Sequence, residues 1–309
     1  MSTATASRRS WLGTRLQRHE AIEGYLWISP WVIGFLVFSL GPIIASFYLS
    51  FTEYKIAGSP EWIGLANYQE ALFNDKLFWP SLNRTIYFTI ATVVLGVVFS
   101  LLAAILLNQS LQGRSVFRAL YYLPSLTPIV SLAILWKWLL QPQVGLVNYL
   151  LSLVGISPGP GWLTTTQWAI PSMIMISLWA SIGGGRMIIF LAGLQGVPRE
   201  LYESAEIDGA SSVRRFFAIT LPMISPVILF NLILGIIASF GVFSLAYIAT
   251  EGGPNYATYF FMLHLYYNAF SFFQMGYASA LAWIFFLIIF VLSYLQIKLS
   301  DRWVYYEFS

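Results

Sequence analysis

Residues 198–222 read Pro-Arg-Glu-Leu-Tyr-Glu-Ser-Ala-Glu-Ile-Asp-Gly-Ala-Ser-Ser-Val-Arg-Arg-Phe-Phe-Ala-Ile-Thr-Leu-Pro. This is the most polar long segment in the second half of a strongly apolar chain, and hydrophobic segments bound it on both sides. Pro198 stands at the first position of a predicted helix, where no backbone N–H is needed, and acids follow in the first turns. Gly209 can take the left-handed conformation that closes such a helix. A second short helix is predicted from Ser211 or Ser212 into Leu221-Pro222. Leu201 and Ala205, one turn apart, form a small apolar stripe. Tyr202 adds an amphipathic contact, and small side chains at Ser204, Ala205 and Gly209 admit close approach of a partner. With Glu200, Glu203, Glu206 and Asp208, this helix is a poor membrane span. It is either a solvated acidic loop or a plug for another protein's surface.

The surroundings are those of an all-α, polytopic membrane protein. Of 309 residues, 58% are hydrophobic and 9% charged, against about 25% charge in soluble domains. A net charge of +3 gives no footprint for nucleic acid, because the basic residues sit near the ends of apolar segments. The chain has no Cys, which excludes disulfides and thiolate metal sites. Its two histidines, His19 and His264, are far apart in sequence. No metal and no cofactor bound by this chain are expected.

Six spans are predicted: Tyr25–Phe51, Arg84–Asn108, Phe117–Leu140, Ala169–Ala192, Pro226–Ala249 and Met275–Leu299. Residues 1–22 form a basic tail. Ser7 to Leu12 has a twin-arginine cast, but the apolar run behind it is a full span without a cleavage site, so 23–309 is one membrane domain. Pro30, Gly41 and Pro42 predict an irregular first span, and Pro124 and Pro128 lie inside the third. Tyr256–Gln274 is expected as an external interfacial helix with its aromatics at headgroup level, since a seventh crossing would misplace either 198–222 or the C-terminus. The distribution of Lys and Arg places both termini and 198–222 in the cytoplasm, with the protein multi-pass in the cell (inner) membrane and in contact with its lipid.

The spacing Glu203-Ser204-Ala205, three residues, Gly209, nine residues, Ile219-Thr220-Leu221-Pro222 resembles the Glu-Ala-Ala loop of ABC-importer membrane subunits. Ser204 stands where that pattern has Ala. Gly113 to Arg118 with Tyr122-Leu123-Pro124, then Pro128, Trp136, Pro142 and Gly145, is similar to the carbohydrate branch of the family. So are Thr250 to Pro254, Gly276 to Ala280, and Asp301 to Glu307. The subunit type is that of the first maltose-type permease, and the likeness covers nearly all of the chain past residue 22. The resemblance implies the type I importer permease fold, with 198–222 as the coupling helix that seats in a cytoplasmic ATPase. The docking residues it implies are Glu200, Leu201, Tyr202, Glu203, Ser204, Ala205, Asp208 and Gly209. It further implies a homologous second permease, an ATPase dimer that binds ATP and Mg, and an external solute-binding protein. The implied cargo is a sugar or oligosaccharide, with glycerol 3-phosphate or another sugar-like solute as the alternative.

The chain's own chemistry agrees with a transport subunit rather than an enzyme. There is no Gly-x-x-x-x-Gly-Lys-Ser/Thr, so ATP must be held by another chain. The predicted spans contain no Asp or Glu, which argues against the rival reading, a stand-alone secondary carrier. The same lack argues against an intramembrane hydrolase. Gly183-Gly184-Gly185 serves close helix packing or an unwound segment. Arg186 and Lys137 are expected to snorkel to an interface. For the solute path, spans four and five offer hydroxyls, an amide and aromatic faces: Trp179, Ser181, Asn231, Ser239, Phe240, Phe243, Ser244 and Tyr247. Phe240, Ser244 and Tyr247 fall at helical spacing and are expected on one face, while Asn231 has interhelical bonding as its alternative. In the resembled family the equivalent spans line the cavity.

Overall fold

The structure, a computed structural model, describes residues 15–56, 58–109 and 112–305. Three helices are long and apolar enough to cross a membrane: Arg18–Leu49, Phe78–Asn108 and Met275–Ser300. Three pairs reach that length only together. They are Arg114–Leu126 with Ile129–Leu139, Thr166–Ser181 with Gly185–Gln195, and Ser212–Met223 with Ser225–Phe240, bent by 94°, 52° and 64°. Six spans result if each bent pair crosses once.

Phe78–Asn108 is the axis of the bundle. Thr166–Ser181, Gly185–Gln195 and Ser225–Phe240 all pack against it. Its buried positions include Thr85, Thr89, Thr92, Gly96, Ser100, Ala103 and Ala104. Small residues repeated every three or four positions let helices approach closely in a membrane, where apolar burial gives little drive for association. The hydroxyls of Thr85 and Thr92 donate to the carbonyls of Ser81 and Phe88, 2.8 and 2.7 Å away, so burial leaves them satisfied.

The bends correct three of the expected spans. In the third, Arg114–Tyr122 gives way to a 3-10 turn, Leu123–Leu126, before Ile129–Leu139 begins. Pro124 and Pro128 cannot donate, and Thr127 before Pro128 is extended (φ −72°, ψ 125°). The fourth breaks at Ile182–Gly184, where a β-carbon on Gly183 would collide with the Tyr121 carbonyl. The glycine triplet thus serves both expected uses, since the broken segment is where the third span's backbone crosses. The fifth span is two helices: Ser225–Phe240 ends at Gly241, and Ser244–Ala249 resumes after Phe243.

The first span is continuous from Arg15–Phe35 through a π turn, Leu36–Leu40, to Gly41–Leu49. The Gly41 N–H reaches back to the Leu36 carbonyl, and this widened turn accommodates Pro42, which lacks an N–H. The helix therefore begins inside the expected 1–22 tail. The Ser7 to Leu12 stretch and the Tyr306-Glu307 end of the C-terminal match lie outside the described residues. Most of this helix stands clear of the rest of the chain. Its last turns touch Met275–Ser300, with Phe47 edge-on to Trp283 at 4.8 Å.

One end of the bundle carries a short antiparallel pair, Thr52–Glu53 with Glu61–Trp62. Beside it, the Asn67 amide donates to the carbonyls of Ser50 and Thr52 at 3.0 and 2.9 Å. In the 256–274 segment a helix, Phe261–Tyr266, runs into a π turn, Tyr267–Ser271, too short to cross. The expectation of a helix lying at headgroup level needs correction. Phe260, Phe261, Leu263 and His264 are buried, and Phe261 stacks on Phe285 at 4.9 Å; Phe270, Phe272 and Phe273 are the exposed ones. The segment is a wall of that end of the bundle. It is fastened by Asp75, whose Oδ2 accepts from His264 Nε2 at 2.8 Å and from the Tyr277 hydroxyl, while Oδ1 accepts from the Leu77 N–H at 2.7 Å. Partial burial would raise the Asp75 pKa, but the hydrogen bonds from His264, Tyr277 and Leu77 outweigh it and hold the group well below the usual carboxylate range.

Candidate functional site

At one end of the bundle the polar segment forms a helix, Arg199–Ile207. Pro198 is its extended N-cap (φ −59°, ψ 131°) rather than its first helical residue, one position earlier than expected. Gly209 has φ +73°. The Gly209 N–H reaches Glu206 at 3.0 Å and the Ala210 N–H reaches Ala205 at 2.8 Å. These two bonds form a Schellman closure, which a left-handed glycine makes possible. Ser211 then caps Ser212–Arg215, its Oγ accepting from the Arg214 N–H at 3.3 Å.

Glu200, Leu201, Glu203, Ser204, Asp208 and Gly209 are exposed, whereas Tyr202 and Ala205 are half-buried. Tyr202 faces inward, with its hydroxyl 2.9 Å from Thr220 Oγ1 and its ring against the apolar cluster around Phe190, so it anchors the helix. Leu201 and Ala205 lie one turn apart on the helix, the first exposed and the second half-buried. The exposed apolar groups that sequence reasoning passed over are Ile207, 87% accessible, with Val213 and Phe217 beyond it. Their signal was available: isolated aliphatic or aromatic side chains inside a polar run.

A cavity of about 300 Å³ lies where the fourth and fifth spans break beside the axial helix. Ser181, Ser239, Phe243 and Ser244 line it, as do Phe88, Thr92, Ser177 and Arg186. Thr92 Oγ1 lies 3.3 Å from Ser239 Oγ. The structure does not bring the other expected residues here. Trp179 is 42% exposed and meets Trp136 edge-on at 5.6 Å. Asn231 is 3% exposed and donates to Val227 of its own helix at 2.9 Å, so it neither lines the cavity nor bonds between helices. Phe240, 2% exposed, packs against Phe285 at 5.8 Å. Tyr247 stacks on the outer side of this group, its ring 5.4 Å from Phe243. The predicted common face of Phe240, Ser244 and Tyr247 fails because the helix is interrupted at Gly241–Phe243.

Arg186 also departs from expectation. Lys137 is exposed in the last turn of Ile129–Leu139, as snorkelling requires. Arg186 instead sits in the first turn of Gly185–Gln195, at the break in the fourth span, and its guanidinium lies against the bare backbones of Gly96 and Gly235. Its Nη1 is buried without a hydrogen-bond partner. A sequence gives the order of residues along a broken span but not the depth of each, so a central charge was read as a terminal one. Thr92 had a visible signal, the Thr85–Thr89–Thr92–Gly96 periodicity on the axial helix.

Residues 69–305 match the model of the family described as "Binding-protein-dependent transport system inner membrane component". The chain belongs to that family. This inner-membrane component is 41% identical over 297 residues to a Bacillus subtilis protein named "Probable ABC transporter permease protein YesP", covering 95% of each chain. It is 35% identical to the trehalose/maltose transport system permease MalF of Thermococcus litoralis, over 93% of this chain and 97% of that one. It superposes with a TM-score of 0.81 and 26% identity on a chain of a bacterial ABC transporter that imports the acidic polysaccharide alginate, covering 94% and 99% of the two chains. The protein is thus a multi-pass transport permease subunit and not an enzyme.

Proposed function

We propose that this permease carries a sugar or oligosaccharide inward as one half of an ATP-driven importer. The observation that carries the reading is the physical link between its two candidate regions. The exposed helix Arg199–Ile207 is pinned through Tyr202 to Thr220, and Ser212–Met223 continues through a bend into Ser225–Phe240, whose last turn delivers Ser239 to the cavity. A displacement applied at the helix is passed along one element to the place where a solute would sit.

In this reading an ATPase pair, holding ATP and Mg, grips the face around Glu203, Ser204, Ile207 and Gly209. A homologous second permease covers the exposed first span, and an external binding protein delivers solute to the outer end. The excess of Lys and Arg puts both termini and the gripped helix in the cytoplasm. ATP closes the ATPases, the helix is pulled, and the spans rock to open the cavity outward. Support for the cargo comes from the trehalose/maltose, arabinooligosaccharide and lactose permeases among its relatives, and from a solved relative bound to an alginate-loaded periplasmic protein. Glycerol 3-phosphate and other sugar-like solutes are the alternative cargo.

Two variants test the link. Glu203→Arg inverts the exposed charge, and Gly209→Val puts a β-branched residue at a left-handed position. Both are expected to abolish sugar uptake while the protein stays in the membrane. Wild-type uptake in both refutes the coupling role, and sugar transport by the purified chain in ATPase-free liposomes establishes a stand-alone carrier instead.

A further inference from the structure

We infer that the solute passing through the cavity carries an acidic group, and that Arg186 receives it; this rests on the sugar-transport reading above. The guanidinium is held where the chain itself does nothing to offset its charge. The ion pairs among the described residues are His19–Glu23, Lys55–Glu53, Arg215–Glu206 and His264–Asp75, and none involves Arg186. No Asp or Glu occurs in the segments 78–108, 166–195 and 225–249 that surround it. Its Nη1 is out of solvent and unbonded.

Its position along the helix adds to the cost. Arg186 is the second residue of Gly185–Gln195, at the positive end of the helix dipole, where a cation is disfavoured and an anion favoured. An arginine without a counter-charge inside a membrane-spanning segment is costly and is kept for function. Packing does not require it, since the glycines at 96 and 235 leave a slot that an aliphatic side chain would fill.

The remaining polar side chains of the cavity are neutral hydroxyls: Thr92, Ser177, Ser181, Ser239 and Ser244. They suit sugar hydroxyls, and Phe243 offers a ring face. For a neutral sugar that set is sufficient, and the cation is superfluous. A carboxylate or phosphate ester on the sugar supplies what is missing, because the planar guanidinium fork matches both groups with paired hydrogen bonds. The broken span supports the same anion with the free N–H groups of its second half, a geometry that transporters use for anionic substrate groups.

The test uses cells carrying the complete importer with its own partner chains. Initial uptake rates are compared for digalacturonate, its dimethyl ester, a galactose phosphate and neutral galactobiose. The acid, or the phosphate if that is the source of the charge, is expected to enter at least about tenfold faster than the uncharged members. Arg186→Gln is expected to lower that rate about tenfold, equivalent to about 1.4 kcal/mol, with Arg186→Lys intermediate. Because the binding protein also selects, purified importer without it is heated in millimolar digalacturonate or ester; the acid alone should raise the melting temperature, and Arg186→Gln should remove the rise. Uptake of both the acid and the phosphate by wild type no faster than that of the ester and the neutral sugar overturns the inference, and so does an undiminished rate of the preferred charged member in Arg186→Gln. Loss of the second permease on purification of Arg186→Gln, but not of Arg186→Lys, overturns it too by showing a partner acid as the counter-ion. Uptake of neutral sugar alone leaves the transport reading standing, whereas no uptake of any member by wild type sinks that reading itself.

Discussion

The two ends of the bundle are held together by different kinds of interaction. At the end walled by residues 256–274, Asp75 draws three donors, two of them from segments about two hundred residues away in sequence, and His264 within that group is buried. At the other end, the Arg199–Ile207 helix is tied by the exposed Arg215–Glu206 pair, by Tyr202 to Thr220 and by its own closing turn. Hydrogen bonds to a charged group shielded from water contribute about 1.5–3 kcal/mol each, and exposed ion pairs about 0–1 kcal/mol. One end is a fixed frame. The other is stiff within itself but lightly attached, which suits the coupling role proposed for it.

The contrast can be broken by substitution. The largest stability change is expected for Asp75→Ala, which leaves His264 and Tyr277 facing a void: a loss of about 2–3 kcal/mol, read as a lowered melting temperature of the purified protein. Unchanged melting would erase the distinction between the ends. Acid should act on the same frame. Since Asp75 is held below its ordinary range in the folded protein, the stabilisation it gives is complete above the unfolded carboxylate value of about 3.9 and falls away as pH drops below it. Melting followed from neutral pH down should therefore show an acid-sensitive fraction that Asp75→Asn lacks.

Gly209→Val sharpens the other half of the comparison. Its cost to folding is about 1–2 kcal/mol, the ordinary cost of a left-handed β-carbon, yet uptake is expected to vanish. Smallest of all, Arg215→Ala should change melting by less than about 1 kcal/mol and leave the helix in place, measured by unaltered protease resistance of the segment. A large effect there would mean that the lightly attached end is not lightly attached.

How much of this was legible from residues alone follows the range of the interactions. The Arg199–Ile207 helix, its Gly209 closure and the Ser211 cap are local events, and local residues announce them. Hydropathy likewise located the apolar segments. It did not show that Gly241–Phe243 interrupts the fifth span, and Phe240, Ser244 and Tyr247 were consequently assigned to a face they do not share. Arg186 was visible as a charge, but its depth depends on where Gly96 of the second span and Gly235 of the fifth come to lie. Asp75 and His264 gave no joint signal, since nothing in a sequence pairs positions that far apart.

Ile207 stands almost wholly free at the tip of the Arg199–Ile207 helix, in a chain without a single Cys. A thiol introduced there would be unique and open to reagent, so a probe at that point could follow the lever through a turnover cycle without interference from the rest of the sequence. The same feature that makes the tip available to a neighbour makes it an addressable gauge of when that neighbour lets go.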